Sequence, residues 1–281
     1  MQRIALVTYE GKPDLSVSDA GIVPLLRQQG IEVSVVPWTS AIDWHEFSLV
    51  LIRSAWDYHT RYQEFLRWIQ ILESQNVSVW NTPSTLRWNT DKTYLDRIVT
   101  DDIRIVPTIV VPDKQALPDN LPWDEVIIKP SIGASSYGVR RMNTSSPHAW
   151  RVEAERQLRE GAVLLQEYQP QIKNGEHSFV FFDKKFSHAV LKTPRPDEFR
   201  VQSEFGGRVT PVIADEHTVH KLERLLTALP DPLLYARIDG LLDAGIFTLM
   251  EIELCEPELF LNTDAMAANR FAEAILRRIG R

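Results

Sequence analysis

Residues 126–141 read VIIKPSIGASSYGVRR: an apolar strand pattern ends in Lys129 and runs into a loop containing Gly133, Ala134, Ser135, Ser136 and Gly138. Small residues let backbone amides close over a phosphate, and a lysine at the strand end brings positive charge to it. The competing reading is an ordinary Gly/Ser turn of a β-hairpin with a surface lysine. The loop is not a Walker phosphate loop, because no Gly-Lys-Ser/Thr stands at the required spacing. A second signal is YARIDGLLDAGIFTLMEIELCEP at residues 235–257. Alternate side chains of an extended strand share a face, so Arg237 and Asp239 point one way, and Glu251 and Glu253 do the same on the next strand. Ile238, Ile252 and Leu254 then point into the core. If Asp239 opposes Glu251 in an antiparallel pair, the midpoint is Gly245, a suitable turn residue. Three carboxylates would converge beside one arginine. Such a cluster repels itself unless a cation neutralises it, and hard oxygen donors suit Mg²⁺ or Mn²⁺ carrying a nucleotide's phosphates. A solvated sheet face with Arg237 in a surface ion pair is the alternative, and the matching parity of two strands favours the site.

Weaker signals lie between these two. In VLLQEYQPQIKNGEHSFVFF, residues 163–182, a strand ends in Gln166, Glu167 and Tyr168 and a loop leads to Glu176. This could offer backbone groups to an adenine edge and a carboxylate to ribose hydroxyls. LKTPRPDEFRVQSEFGG places Lys192 and Arg200 near the double glycine 206–207, a cationic stretch that also fits a mobile charged loop. His217 and His220 stand three apart on an expected helix, but with no third ligand nearby they read as a solvated surface. The lone cysteine, Cys255, excludes an intramolecular disulfide and a thiolate zinc cluster, and its acidic neighbours oppose thiolate formation.

The elements that must position these residues fill a chain of 281 residues, long enough for one large or two to three smaller domains. A composition of 44% hydrophobic and 25% charged residues is that of a folded globular protein. With 38 acidic against 31 basic side chains the net charge is -7, which argues against a protein that coats nucleic acid. No apolar run approaches the ~20 residues of a membrane span, and the chain starts on a strand-like run rather than a signal peptide, so a cytoplasmic protein is expected. Residues 3–8, 32–36, 47–53 and 77–80 read as strands alternating with helices over 18–29 and 61–73, an α/β unit that finishes near residue 80. From Asn81 a turn-rich entry leads to a helix expected near Thr90 or Asp91. Strands follow at 105–111, 125–129, 139–142, 163–167, 178–182, 187–191, 199–203, 208–213, 233–239 and 246–254. Helices are expected at 147–159 and 216–228, with a terminal helix ending at Arg281.

Taken in order, these segments resemble the ATP-grasp superfamily, within it the glutathione synthetase and RimK-type ligases, over about residues 81–281. The resemblance implies an α/β (α+β ATP-grasp) fold: a Rossmann-like pre-ATP-grasp domain at 1–80, then two α+β subdomains that clasp ATP, a lid at about 105–168 and a catalytic subdomain at about 169–281. It implies that Lys92 in NTDKTYL and Lys129 bind ATP phosphates under the loop of Gly133, Ser135, Ser136 and Gly138. Gln166, Glu167, Tyr168 and Gln169 would frame the base and Glu176 would hold the ribose. The metal carboxylates fall on Asp239 and Glu251, with Glu253 replacing the family's usual Asn. Arg200 would contact the transferred phosphoryl group and Arg237 the acyl intermediate, with Lys192 among the catalytic cations, since a planar guanidinium grips phosphate or carboxylate through two parallel bonds. IRSAWDYH at 52–59 and EIELCEPELFL at 251–261 are also similar to the D-cycloserine-forming ATP-grasp ligases. That narrower likeness nominates Arg53, Ser54, Trp56, Asp57 and Tyr58 as substrate contacts at a strand's C-terminal end, against an alternative in which they pack a domain interface with Arg53 paired to Asp57. The expected activity is a Mg-ATP-dependent ligase that joins a small amino-acid-like carboxylate to an amine or related nitrogen nucleophile through an acylphosphate. A phosphotransferase on the same fold and a nucleotide-binding module without turnover are the alternatives. ATP, small-molecule acid and amine substrates and a second copy of the chain in a homodimer are the expected partners.

Overall fold

The computed structural model describes residues 2–280 except Val99 and Asp101, with the side chain of Ser203 also left undescribed; Arg281, the expected end of the last helix, lies outside the described residues. The apolar run at the start of the chain forms β1 (Arg3–Thr8), the centre of a parallel sheet. It is flanked by β2 (Glu32–Pro37) and β3 (Leu49–Ile52), with β4 (Val79–Trp80) beyond, in the order β2-β1-β3-β4. Every residue of β3 is buried, as in a parallel strand covered on both faces. Helix α1 (Ile22–Gln28) covers one face and α2 (Tyr62–Ser74) the other, the latter burying Phe65, Trp68, Ile69 and Leu72 at helical spacing. The helix expected from residue 18 starts later, because a 3-10 turn at Asp19–Gly21, fixed by the Ser16 hydroxyl accepting from the Asp19 amide at 3.1 Å, precedes it.

The turn-rich entry after Asn81 is itself a helix, α3 (Pro83–Asn89). Thr82 caps it by accepting from the Thr85 amide at 3.3 Å, and Pro83 occupies the first turn, where its missing N–H has no cost. The helix expected near Thr90 is a 3-10 stretch at Lys92–Arg97, capped by Asp91. The single strand expected at 105–111 is two strands in different sheets, β5 (Arg104–Ile105) and β6 (Thr108–Val111). Pro107 separates them, since it cannot donate to a continuing ladder.

A four-stranded antiparallel sheet follows: β7 (Glu125–Pro130), β8 (Arg140–Asn143) and β9 (Val163–Glu167) join β6 in the order β6-β9-β7-β8. Helix α4 (Pro147–Gln157) packs its buried Trp150 and Ala154 against Val126, Ile128, Val163 and Leu165. The largest sheet is built from β10 (Glu176–Phe182), β11 (Lys185–Thr193), β12 (Arg208–Val212), β13 (Tyr235–Asp243) and β14 (Ile246–Glu253), with β5 at its edge. Helix α5 (Glu216–Ala228) covers one face through Leu222, Leu225 and Leu226. Helix α6 (Ala267–Arg278) inserts Phe271 and Ile275 between this sheet and the first one. The expected strand at 199–203 is an irregular loop. Phe199 and Val201 alternate inward onto Ile172 and Leu241, which is the apolar pattern the sequence shows, but the segment pairs with no strand and β12 is the neighbour of β11. Among the described residues no helix is long and apolar enough to cross a membrane.

Candidate active site

The three sheets surround one cavity of 660 Å³, and the period of two on β7 determines what enters it. Val126 and Ile128 face α4, so Ile127 and Lys129 face the cavity. Lys129 is only 9% exposed. Among the described residues it has no ion pair and no side-chain hydrogen bond, and burial together with the Lys92 charge lowers its ammonium below the ordinary lysine value. Beyond it the loop turns through two consecutive left-handed residues, Ser135 (φ 50°) and Ser136 (φ 57°), before Gly138 (φ 69°). Gly133, Ser135 and Ser136 line the cavity. Gly138 does not, contrary to expectation: a Cβ there would come 2.9 Å from Pro130 Cδ, so this glycine lets the loop close on the strand end.

Lys92 ties the loop to the large sheet. Its ammonium donates to the Gly133 carbonyl at 2.6 Å and pairs with Glu251 at 3.0 Å, while its amide donates to Ser131 O at 2.8 Å. Burial would depress its pKa, but Glu251 and Glu253 raise it above the usual value. At the other end of β9, Gln166, Glu167, Tyr168 and Gln169 line the cavity. The Gln166 amide donates to Thr108 Oγ1 at 3.0 Å and Gln169 to Glu167 at 2.8 Å, and the Arg141 guanidinium lies 3.8 Å from the Tyr168 ring centroid. The backbone amides of Glu167 and Tyr168 are engaged by Pro107 O and Glu125 O, which leaves those two unavailable to a ligand.

On the large sheet, Asp239 pairs with Glu251 in the antiparallel register and Arg237 with Glu253, as the parity of the two strands requires. The turn falls at Ala244 and Gly245, both with positive φ. The carboxylates do not form a ready metal cage. Among the described residues no group of three His, Cys, Asp or Glu side chains is arranged to hold a cation, because each of these carboxylates has a basic partner instead. Arg237 donates to Asp239 at 2.8 Å and also bonds Glu253. Lys192 pairs with Asp239 at 3.2 Å and with Glu176 at 3.1 Å, and Ser178 Oγ donates to Asp239 at 2.6 Å. Burial opposes ionisation of Asp239, yet Arg237 and Lys192 hold its carboxyl below the ordinary range. Glu253 is the reverse case: burial, with Asp239 and Glu251 adding repulsion, pushes it up to about 8 despite Arg237. Arg200 reaches the cavity from the 194–207 loop, fixed by two bonds to Glu198 at 3.1 and 2.7 Å and lying 3.6 Å from the Phe205 ring centroid.

The residues nominated at the end of β3 divide. Trp56 and Tyr58 line the cavity; Arg53, Ser54 and Asp57 do not. Arg53 is fully buried and paired with Asp19 at 3.2 Å rather than with Asp57, which accepts from Trp38 Nε1 at 2.8 Å. Ser54 is also fully buried. Burial raises Asp19 to about 6, partly countered by Arg53. His217 and His220 are exposed on α5, away from the cavity. Cys255 is buried, and burial pushes its thiol well up. Lys12, Ser16, Ser18, Glu256 and Glu258 also line the cavity and were not singled out from the sequence. The readable signal was the acidic run EPE at 256–258, directly after β14.

Residues 94–258 match the family model described as the prokaryotic glutathione synthetase ATP-grasp domain. The chain belongs to the ATP-grasp ligases. Residues 4–81 match the model of the D-cycloserine synthetase DcsG N-terminal domain. This ATP-grasp chain is 31% identical over 98% of its length to the cycloserine biosynthesis protein DcsG of Streptomyces lavendulae, and covers 98% of that protein. It superposes on the crystal structure of D-cycloserine synthetase DcsG with a TM-score of 0.87 and 28% identity, over 99% of both chains. The fold alone is shared with D-alanine–D-alanine ligase from Bacillus anthracis complexed with ATP, at a TM-score of 0.66 and 16% identity over 99% of this chain and 96% of that one. The protein is thus an ATP-dependent ligase of the carboxylate–amine type.

Proposed function

We propose that this ligase activates the carboxylate of a small amino-acid-like substrate as an acylphosphate and passes it to a nitrogen nucleophile of the same or a second molecule. The observation that carries the reading is Lys129: a buried cation without a counter-ion, at a loop mouth, beside three sets of paired charges. Phosphate oxygens would relieve it. Lys92 would hold the same phosphates from the sheet side, the 166–169 segment would take the base, and Glu176 a ribose hydroxyl. The 1–80 unit, the lid at about 105–168 and the remainder would close on the nucleotide between them. Asp239, Glu251 and Glu253 are hard oxygen donors on adjacent strands, and Glu253, raised by burial and its acidic neighbours, is a carboxyl that a divalent cation would draw into its ionised form. With phosphate oxygens completing the set, these residues would hold Mg²⁺ or Mn²⁺, which supplies charge neutralisation to the transferring phosphoryl group.

The γ-phosphoryl group leaves ADP and bonds to a carboxylate oxygen; the nitrogen lone pair then attacks the acyl carbon, phosphate departs with the C–O electron pair, and the nitrogen proton passes to solvent. Arg200 would accompany the phosphoryl group and Arg237 would orient the acyl oxygen, both by positioned charge. No covalent enzyme intermediate is needed. The test is ADP release with Mg-ATP against amino acids, O-ureido-serine and small peptides, with and without amines, reading products by mass. An acid-dependent burst with an amide or ring-closed product supports the reading, and a stable phosphorylated product alone would replace it by phosphotransfer. Unchanged ADP formation by Asp239→Asn would remove the metal assignment.

A further inference from the structure

Residues 255–261 follow β14 without regular secondary structure, yet five successive carbonyls are each held by a side chain from elsewhere in the chain. Tyr235 OH donates to Cys255 O at 2.9 Å, Trp56 Nε1 to Glu256 O at 3.0 Å and Arg53 to Pro257 O at 2.9 Å. Arg237 donates to Glu258 O at 3.0 Å, and His188 Nε2 bonds Leu259 O at 2.8 Å. Ser18 Oγ accepts from the Leu261 amide at 2.7 Å. An irregular segment lacks ladder partners, and here buried groups from all sides supply them, so the strap is braced rather than loose. This also explains why Arg53 is buried: it stacks 4.8 Å from the Tyr235 ring centroid and supports the strap from below.

The braced strap presents two carboxylates to the cavity. Glu258 accepts from Ser16 Oγ and from the Phe260 amide, both at 3.4 Å. Glu256 lacks such oxygen and amide partners among the described residues and has only the neighbouring Cys255 thiol. Glu176, Asp239, Glu251 and Glu253 each have a lysine or arginine within 3.2 Å, but among the described residues neither strap carboxylate has a cation at ion-pair distance. A half-buried carboxylate held in place without a counter-ion carries a desolvation cost, which a cationic ligand would remove. We propose that Glu256 is a specificity-determining residue that receives the ammonium group of the substrate, so that the enzyme selects amino acids over the matching acids that lack the nitrogen. The inference rests on the ligase reading above and names the group its substrate must carry.

The test uses the full-length protein loaded with Mg-ADP, titrated calorimetrically with D- and L-alanine, D- and L-serine and O-ureido-D-serine, and with propionate and 3-hydroxypropionate as counterparts without nitrogen. Wild-type protein is expected to bind at least one of the amino acids and to bind its counterpart at least tenfold more weakly. Glu256→Gln should weaken that amino acid by about 10- to 100-fold, the loss of one charge-assisted contact, while Mg-ADP affinity stays unchanged. Glu256→Asp, which keeps the charge, should retain part of the discrimination. The proposal is overturned if no amino acid binds the loaded wild type, if the counterparts bind equally well, or if Glu256→Gln leaves the preference intact. Failure of wild-type protein to bind Mg-ADP would instead sink the nucleotide reading on which it rests.

Discussion

Replacing Lys129 by methionine should make the free protein more stable and nearly blind to nucleotide. Methionine keeps the length of the lysine stem and fills the same space beside Ile127, but it removes a buried ammonium with no ion pair. A cation in that position is desolvated without a direct partner, so its removal is worth about 1 kcal/mol to the free protein. For a chain of this size that is a rise in Tm of about 2–4 °C. Binding moves the other way. Loss of charge-assisted contacts to phosphate costs about 1.5–3 kcal/mol, or roughly 10- to 150-fold in Kd. At a Mg-ADP concentration of 100 times the wild-type Kd, the wild type gains about 2.7 kcal/mol, whereas a variant weakened 100-fold gains only about 0.4 kcal/mol. The melting order of the two proteins should therefore invert: variant above wild type without nucleotide, below it with nucleotide. Differential scanning fluorimetry over a Mg-ADP titration reads both. A variant that melts lower without ligand, or that is protected as well as the wild type, would falsify the assignment of Lys129 to the phosphates.

Three further outcomes follow from individual contacts. Asp19 has a folded pKa of about 6 against an ordinary 3.8, so folding takes up a proton; its contribution is fully present below about pH 3.8 and is lost as pH rises through 6. Relative to Asp19→Asn, the wild-type Tm should thus decline between pH 4 and 6, and parallel curves would exclude this group as the cause. Gly240→Ala would put a Cβ 2.4 Å from the Thr248 carbonyl oxygen on the paired strand and 2.4 Å from Phe247 Cζ. Backbone cannot step aside there, so a loss of about 2–4 kcal/mol, or a Tm drop of about 4–16 °C, is expected in thermal unfolding, and a drop under 2 °C would contradict the packing. Cys255, buried and with its thiol pushed up, should resist a thiol reagent at pH 8 until the protein unfolds; rapid stoichiometric labelling of native protein would show that this wall of the cavity opens.

What the sequence made legible was governed by local rules. The period of two on β13 and β14 is a property of any extended chain, so it paired Asp239 with Glu251 before any tertiary contact was known, while Lys129 was marked by its place between an apolar strand and a loop of small residues. The distinct α/β texture of residues 3–80 was equally readable, because buried parallel strands are continuous apolar runs. Helix α3 was missed although its signal was local: Thr82 followed by Pro83 is the chemistry of a helix start, hidden in a run that also looks like a turn. Arg53 was misplaced for a different reason. Its partner Asp19 is 34 residues away and its other contact, Pro257, 204 residues away, and no spacing rule spans such distances. The same holds for Glu256, whose carbonyl is held by Trp56, 200 residues away in the chain.

The arrangement of charges also explains why carboxylates expected to attract a metal instead hold lysines and arginines. Asp239, Glu251, Glu253 and Glu176 cannot remain ionised together in a buried cavity without compensation, and Lys92, Lys192 and Arg237 provide it within 3.2 Å. Three cations against four carboxylates leave one negative charge, and the partly protonated Glu253, at about 8, is where that excess is absorbed. Lys129 contributes a fourth cation but from β7 in the four-stranded antiparallel sheet, out of ion-pair reach among the described residues. On the proposed reading, a triphosphate entering between the two sheets would meet Lys129 and draw on Lys92, while its accompanying divalent cation would replace the Lys92 ammonium at Glu251 and the Arg237 guanidinium at Glu253. On that reading, nucleotide entry would be an exchange of ionic partners within a cluster whose charges are already paired, and such an exchange would keep the cost of closing the site low at the step where water must be excluded.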